Sequence, residues 1–309
     1  MKAIVLGSAA GGGFPQWNSN GPGCRRARSG DTSAKPRNQA SVAVTADGQR
    51  WFLLNAPPDL RAQIEAVPAL QPHEGLRSSP IIGAVLTGGD VDAIAGLLHL
   101  RERQKLTVYA TAPVQRILAT NSIFGVLATD CVTRVTLPSL CRFPLLDHAG
   151  EHSGLEVELF PVPGKVPLYM EGADYALDTA RESEDIVGAE IIETATGARL
   201  FFIPGCAAMT ENLSRRLTGA PLVFFDGTMW TDDEMIRQGT GTKTGRRMGH
   251  MSMSGEDGVI AAFRDLGVQR KIFVHINNSN PALLDDSPER AAANAAGWEV
   301  GEDGMEIVL

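Results

Sequence analysis

The chain has 309 residues, 43% of them hydrophobic, and a net charge of −8, which allows one large domain or two small ones and a sizeable core. The negative balance argues against broad nucleic-acid binding, and no apolar run approaches the ~20 residues that cross a bilayer. Cys24, Cys131, Cys141 and Cys206 show no paired spacing, so a reducing cytoplasm is the expected setting.

Lys2–Leu6 reads as a buried strand, not as the apolar part of a secretion signal, because glycines follow at once. Gly7-Ser8-Ala9-Ala10-Gly11-Gly12-Gly13 is a glycine-rich loop. It lacks the lysine of a phosphate-binding loop and opens no helix with Gly-x-Gly-x-x-Gly, so a nucleotide site is only weakly suggested. The stretch from Phe14 to Asn38 reads as a long polar loop, made locally basic by Arg25, Arg26, Arg28, Lys35 and Arg37. It is either a solvated surface or a grip on an acidic ligand. Gln39–Val44 and Arg50–Asn55 form a predicted hairpin about Ala46-Asp47-Gly48. A helix is expected to start at Asn55-Ala56-Pro57-Pro58-Asp59 and to run to about Ala66.

Ile81–Glu102 is the stretch about which the chain is organised. An apolar run, Ile81 to Leu86, fits a buried strand. The turn Thr87-Gly88-Gly89 follows, then a helix with Asp90 at its N-cap and Asp92 in its first turn. Two carboxylates at a strand end make a platform for a hard cation. The plainer alternative is that Asp90 only caps the helix and Asp92 only favours its dipole.

Leu106–Ala110 reads as a strand, Ala112–Ala119 as a helix and Leu155–Val162 as a strand, whereas Gly164–Glu184 is polar and irregular, a candidate flap over a site. Ile186–Glu193 and Arg199–Ile203 form another hairpin, and Leu222–Phe225 is a short apolar strand ending in Asp226-Gly227-Thr228. Ser254–Leu266 has the pattern of an amphipathic helix, Lys271–His275 is a strand, and Ser287–Ala296 is a helix with Ser287 as cap and Pro288 at its first position. Edge strands run to Leu309. No internal repeat is visible to the eye. Strands come in groups with helices between them, which predicts a layered α/β arrangement of two sheets with helices outside.

Asp226, His250 and His275 also stand at the ends of apolar runs or beside a helix. A buried strand rarely ends in such a side chain without a partner. With Asp90 and Asp92 they make five candidate ligands at loop tips, a mixed nitrogen and oxygen set suited to non-haem iron, manganese or zinc. Cys206 ends a strand too but reads as packing. His73, His99, His148 and His152 have no partners in sequence and read as surface or packing residues.

Thr87-Gly88-Gly89-Asp90-Val91-Asp92-Ala93-Ile94-Ala95-Gly96 resembles the Thr-His-x-His-x-Asp-His-x-x-Gly frame of the metallo-β-lactamase superfamily. Gly88, Asp90 and Ala93 stand where that frame has histidines, and Asp92 is kept. Asp226, Gly249-His250 and His275 match later elements of the pattern. A closer resemblance covers nearly the whole chain. Gly7 to Asn18, Leu98–Glu102, Asp226-Gly227-Thr228, Thr244-Gly245-Arg246-Arg247-Met248-Gly249-His250 and His275-Ile276-Asn277-Asn278-Ser279-Asn280-Pro281 are similar to the pyrroloquinoline quinone (PQQ) biosynthesis protein B family.

The resemblance implies a single αββα metallo-β-lactamase-like domain over residues 1–309, a sandwich of two mixed sheets with helices outside. It implies a part in maturing the quinone from a crosslinked Glu–Tyr precursor, by iron-dependent hydroxylation of the tyrosine ring. The alternatives are a non-catalytic carrier that helps PQQ or its precursor to the periplasm, or a metal-dependent hydrolase. Asp90, Asp92, Asp226, His250 and His275 would hold Fe2+, and Asp92, His250 and His275 would be catalytic. Arg101, Arg246 and Arg247, with Asn277 and Asn278, would bind the substrate, the crosslinked precursor or PQQ itself. A homodimer is compatible with the reading. Ser19, Gly21 and Cys24 replace a cysteine cluster of many relatives, so no structural zinc is expected. Ala93 stands where relatives carry a histidine, so one ligand is missing.

Overall fold

Alternation along the strands sets the layers. In β1 (Lys2–Gly7), Ala3 and Val5 point one way and Ile4 and Leu6 the other, and all four are buried. A strand buried on both faces needs cover on both sides. The computed structural model, which describes residues 1–171 and 181–309, supplies it. β1, β2 (Ser41–Thr45), β3 (Trp51–Leu54), β4 (Ile81–Val85), β5 (Leu106–Ala110) and β6 (Val132–Thr136) form one sheet. β7 (Arg142–Leu146), β8 (His152–Pro163), β9 (Glu182–Glu193), β10 (Arg199–Ile203), β11 (Leu222–Asp226), β12 (Arg270–Val274) and β13 (Trp298–Val300) form the other. β14 (Glu306–Val308) returns to pair with β1.

Between the sheets, Val5, Val44, Phe52 and Leu54 meet Val157, Ile191, Phe202, Phe224 and Ile272. The outer face of the first sheet packs on Leu60, Ile94, Leu97, Val114 and Leu118. The outer face of the second packs on Leu213, Leu217, Val259, Phe263 and Ala293. The order helix, sheet, sheet, helix is the αββα sandwich expected.

The two sheets share one pairing scheme. From β14 to β3 the neighbours are antiparallel, and from β3 to β6 they are parallel. From β7 to β10 they are antiparallel, and from β10 to β13 parallel. The repeat that inspection of the letters misses is thus present in the topology.

The helix expected over Ser254–Leu266 is helical only at Val259–Ala262. Gly255 stands at φ +95°, outside the right-handed helix, and breaks the run. The expected loop between Phe14 and Asn38 contains a short helix, Pro22–Arg28. Three of the basic residues of this stretch are held in ion pairs. Arg26 pairs with Asp31 and Asp286, and Lys35 with Asp285 and Glu302. Arg37 is buried and also reaches Glu302. Arg26, Lys35 and Arg37 thus brace the stretch against the C-terminal segment. Ser287 caps the helix Pro288–Ala295, its hydroxyl accepting from the Arg290 N–H at 3.0 Å, as expected. Of the expected flap over residues 164–184, residues 172–180 lie outside the described residues, and Glu182–Glu184 belong to β9. Among the described residues, no helix is long and apolar enough to cross a membrane.

Candidate metal centre

The carboxyl ends of β3, β4, β10, β11 and β12 meet at one cavity of about 470 Å³. Open α/β sheets offer ligand sites at such carboxyl ends. β4 delivers Asp90, Asp92 and Ala93 to its wall, and β11 and β12 deliver Thr228, His275 and Asn277. Asp226 ends β11 one step past Phe225, and is fully buried. His250 follows the helix Gly245–Met248, which stops at Gly249 in the left-handed region, φ +88°. His275 itself takes φ +56°, an uncommon backbone for a residue with a Cβ, at the point where β12 gives way to the site. The glycine-rich loop forms another wall through Gly11. It is tied to both sheets, Ala9 bridging Gln39 and Ile276.

Asp226 Oδ2 lies 2.7 Å from His250 Nδ1, and His275 Nε2 lies 2.9 Å from Asp92 Oδ2. The two imidazoles stack with centroids 5.1 Å apart. Thr228 Oγ1 sits among them, 2.6 Å from Asp226 Oδ1, 3.1 Å from His250 Nδ1 and 2.8 Å from His275 Nδ1. The last contact leaves His275 Nε2 as the nitrogen aimed at Asp92 and the cavity. The Cys206 N–H also donates to Asp226 Oδ2, at 2.9 Å. Burial pushes the Cys206 thiol up, so this thiol is inert packing.

Burial works to raise the carboxyls of Asp226 and Asp92. The charge and hydrogen bonding of His250, for Asp226, and of His275, for Asp92, outweigh it and hold both below the ordinary range. Asp90 has no such partner. Burial and the adjacent Asp92 push it up to about 6. Its backbone stands at the N-cap position, but its side chain makes no capping bond. It is turned to the cavity, so the plain capping role does not describe it.

Among the described residues, Asp226, His250 and His275 form the group whose ligand atoms fit one ion, all within 4.8 Å of one another. Asp92 joins them through His275. Nitrogen and oxygen donors so arranged, three or four around one point, fit a divalent cation. Such an ion would be held by Asp92, Asp226, His250 and His275, with Asp90 beside it, and would supply a charge that polarises a bound oxygen ligand.

Asn277 lines the cavity, while Asn278 donates to Gln16 Oε1 at 2.6 Å and accepts from the buried Cys24 thiol at 3.5 Å. The three arginines are not brought to the cavity wall. Arg101 lies beside Glu102, Arg246 pairs with Asp257, and Arg247 stands 3.8 Å from Glu171. The cations that do line it are Lys165 and Lys243. Nothing in their sequence neighbourhood marks them. Thr228 had a legible signal, a hydroxyl two residues beyond a strand-end aspartate.

Thr228→Val is expected to leave the fold intact and to weaken binding of a divalent cation about 10–100-fold, the usual cost of losing a group that orients a ligand. A competition titration against a chelator measures it, and parent-like affinity would remove Thr228 from the site's support.

Residues 50–276 match the family described as "Beta-lactamase superfamily domain". Coenzyme PQQ synthesis protein B of Gluconacetobacter diazotrophicus is 58% identical over 308 residues, 99% of each chain. That of Methylorubrum extorquens strain AM1 is 50% identical over all of both chains. The crystal structure of Zn2+-bound PqqB from Methylobacterium extorquens superposes with a TM-score of 0.95, at 50% identity and full coverage of both chains. A diphosphatase of the PhnP family, 19% identical at a TM-score of 0.67, shares the fold. The solved PqqB overturns the expectation of ferrous iron without structural zinc, because that relative holds Zn2+. The physical reason lies in the donors. Imidazole and carboxylate serve zinc as readily as iron, and the set does not select between them.

Proposed function

The chain belongs to the coenzyme PQQ synthesis protein B family of the β-lactamase superfamily and has its part in PQQ biosynthesis, where we propose that it hydroxylates the tyrosine ring of the crosslinked Glu–Tyr precursor. The observation that supports this reading is the cluster of Asp92, Asp226, His250 and His275 beside a cavity of about 470 Å³. The cavity has the volume of a small-molecule site. Gly88, Asp90 and Ala93 stand at the histidine positions of the superfamily frame, which speaks against a dinuclear hydrolytic centre. In the reaction proposed, one atom of O2 enters the ring in place of hydrogen. The other leaves as water, with two electrons and two protons from an external reductant.

Within that reaction this chain's residues have definable tasks. Asp92 and Asp226 fix the two imidazoles, Thr228 holds the His275 tautomer, and Asn277 offers an amide at the cavity wall. Asp90 lines the same wall, beside the place the ion would take.

The zinc of the solved relative favours a second reading. Zinc exchanges no electrons, and a zinc site of this kind fits a carrier that binds PQQ or its precursor without turning it over. The test is oxygen uptake with the crosslinked dipeptide, on protein as purified and with its metal content measured on the same sample. Uptake matched to precursor consumed supports hydroxylation. Tight binding without uptake supports the carrier and overturns the first reading.

A further inference from the structure

Lys165, Lys243 and Glu171 make a cluster that the site above does not use. Lys165 and Lys243 line the cavity that holds the two histidines. The Lys165 ammonium donates to Glu171 Oε1, Lys243 Nζ stands 3.7 Å from Glu171 Oε2, and Arg247 Nη1 stands 3.8 Å from the same oxygen. Three cations share this one carboxylate, and Lys165 also acts on Asp90 across the same cavity. Lys243 and Arg247 are too far from Glu171 for a hydrogen bond, so their donors toward it are unused. Lys165 and Glu171 are only 17% and 15% exposed, so that pair is weakly screened, whereas Lys243 and Arg247 reach further into solvent. Elsewhere on the same cavity wall stand Asp90 and Asp92. The cavity therefore has an anionic part that fits a cation and a cationic part that fits an anion.

Resting on the reading in the preceding subsection, we propose that Lys165 and Lys243 are the specificity-determining clamp for the carboxylates of a small polycarboxylate ligand, and that Glu171 competes with that ligand for the same ammonium groups. Glu171 keeps the two lysines together and turned to the cavity. A ligand carboxylate forms charge-assisted hydrogen bonds with them in its place. The cluster selects ligands with two or more carboxylates and rejects their esters, which accept more weakly and carry no charge. PQQ and the crosslinked Glu–Tyr precursor both belong to the selected class.

The experiment measures binding of PQQ, its trimethyl ester and the crosslinked dipeptide to Zn2+-loaded protein by equilibrium dialysis. The parent is compared with Lys165→Ala, Lys243→Ala, the double variant and Glu171→Gln, each checked for folding by circular dichroism. Loss of each lysine is expected to weaken PQQ binding about tenfold, as for other charged hydrogen bonds, and loss of both more than either. Glu171→Gln is expected to tighten it severalfold, and the ester to bind the parent poorly. If the dipeptide loses more affinity than PQQ, the clamp serves the precursor, and the reverse result assigns it to the quinone. Should the double variant fail to fold, Lys165→Gln and Lys243→Gln are measured singly. PQQ and dipeptide binding that ignores both lysines overturns this inference alone. A parent that binds neither ligand overturns it together with the reading it rests on.

Discussion

Asp226→Ala is expected to lower the free energy of unfolding by about 3–5 kcal/mol, the range for removing one partner of a buried charged pair, and to weaken Zn2+ binding at least 100-fold. Asp226 is wholly buried and accepts from the Cys206 N–H, from the Thr228 N–H and hydroxyl, and from His250. Alanine leaves the two backbone donors without an acceptor, at about 1–3 kcal/mol each. It also removes the carboxylate that fixes His250, so loss of a donor and loss of orientation act together. Urea unfolding without metal reads the first effect, and a Zn2+ titration the second. Asp226→Asn separates them. Its amide oxygen still accepts from Cys206 or Thr228, so stability should recover in part while Zn2+ affinity stays low. Parent-like unfolding of the alanine variant would mean that the buried donors find other acceptors, and that Asp226 does not brace the end of β11.

Ala93→His is expected to act in the opposite direction and to raise Zn2+ affinity about 10–100-fold, on the scale by which supporting groups tune metal sites. Ala93 is buried and lines the cavity. Its N–H donates to the Asp90 carbonyl at 2.9 Å, and its carbonyl accepts from the Ala56 N–H at 2.8 Å, so the backbone that would carry the imidazole is fixed on both sides. Ala93 stands between the apolar layer under the first sheet and the cavity, and a third imidazole turned to the cavity would complete a set that the parent fills with carboxylates. The measurement is again competition with a chelator, parent against variant. Equal affinity, or tighter binding by the parent, would show that this position does not face the ion.

The candidate ligands stand out in the sequence because each breaks a local rule. Asp90, Asp92, Asp226 and His275 end or follow apolar runs, where an unpaired polar group is costly. The structure brings them to one cavity. The hairpins at β2–β3 and β9–β10 were legible from alternation and turn residues. β6 and β7 were not. β6 is half exposed with no clean alternation, and β7 carries Pro144 in its middle. The arginine assignments failed because which cation faces the cavity is set by the fold and not by local sequence. Arg101, Arg246 and Arg247 find carboxylates outside the cavity wall, and no local pattern distinguishes them from Lys165 and Lys243, which line it. The metal was not legible for a different reason. Imidazole and carboxylate leave several cations open, and zinc in a half-identical relative is a fact about that chain's site which donor types alone do not contain.

The shared pairing scheme of the two sheets bears on how the molecule comes apart. Asp90 and Asp92 belong to the half that runs from β1 to β6, and Asp226, His250 and His275 to the half that runs from β7 to β13. An ion held by Asp226, His250 and His275 together with Asp92 would be a rivet through the seam. Its binding energy adds to the cohesion of the halves, because only the docked form presents all its ligands at once. Withdrawing the ion would therefore loosen the joint before it loosens either sheet. Fraying would begin at the strand ends about Asp92 and His275, while the apolar layer between the sheets still holds.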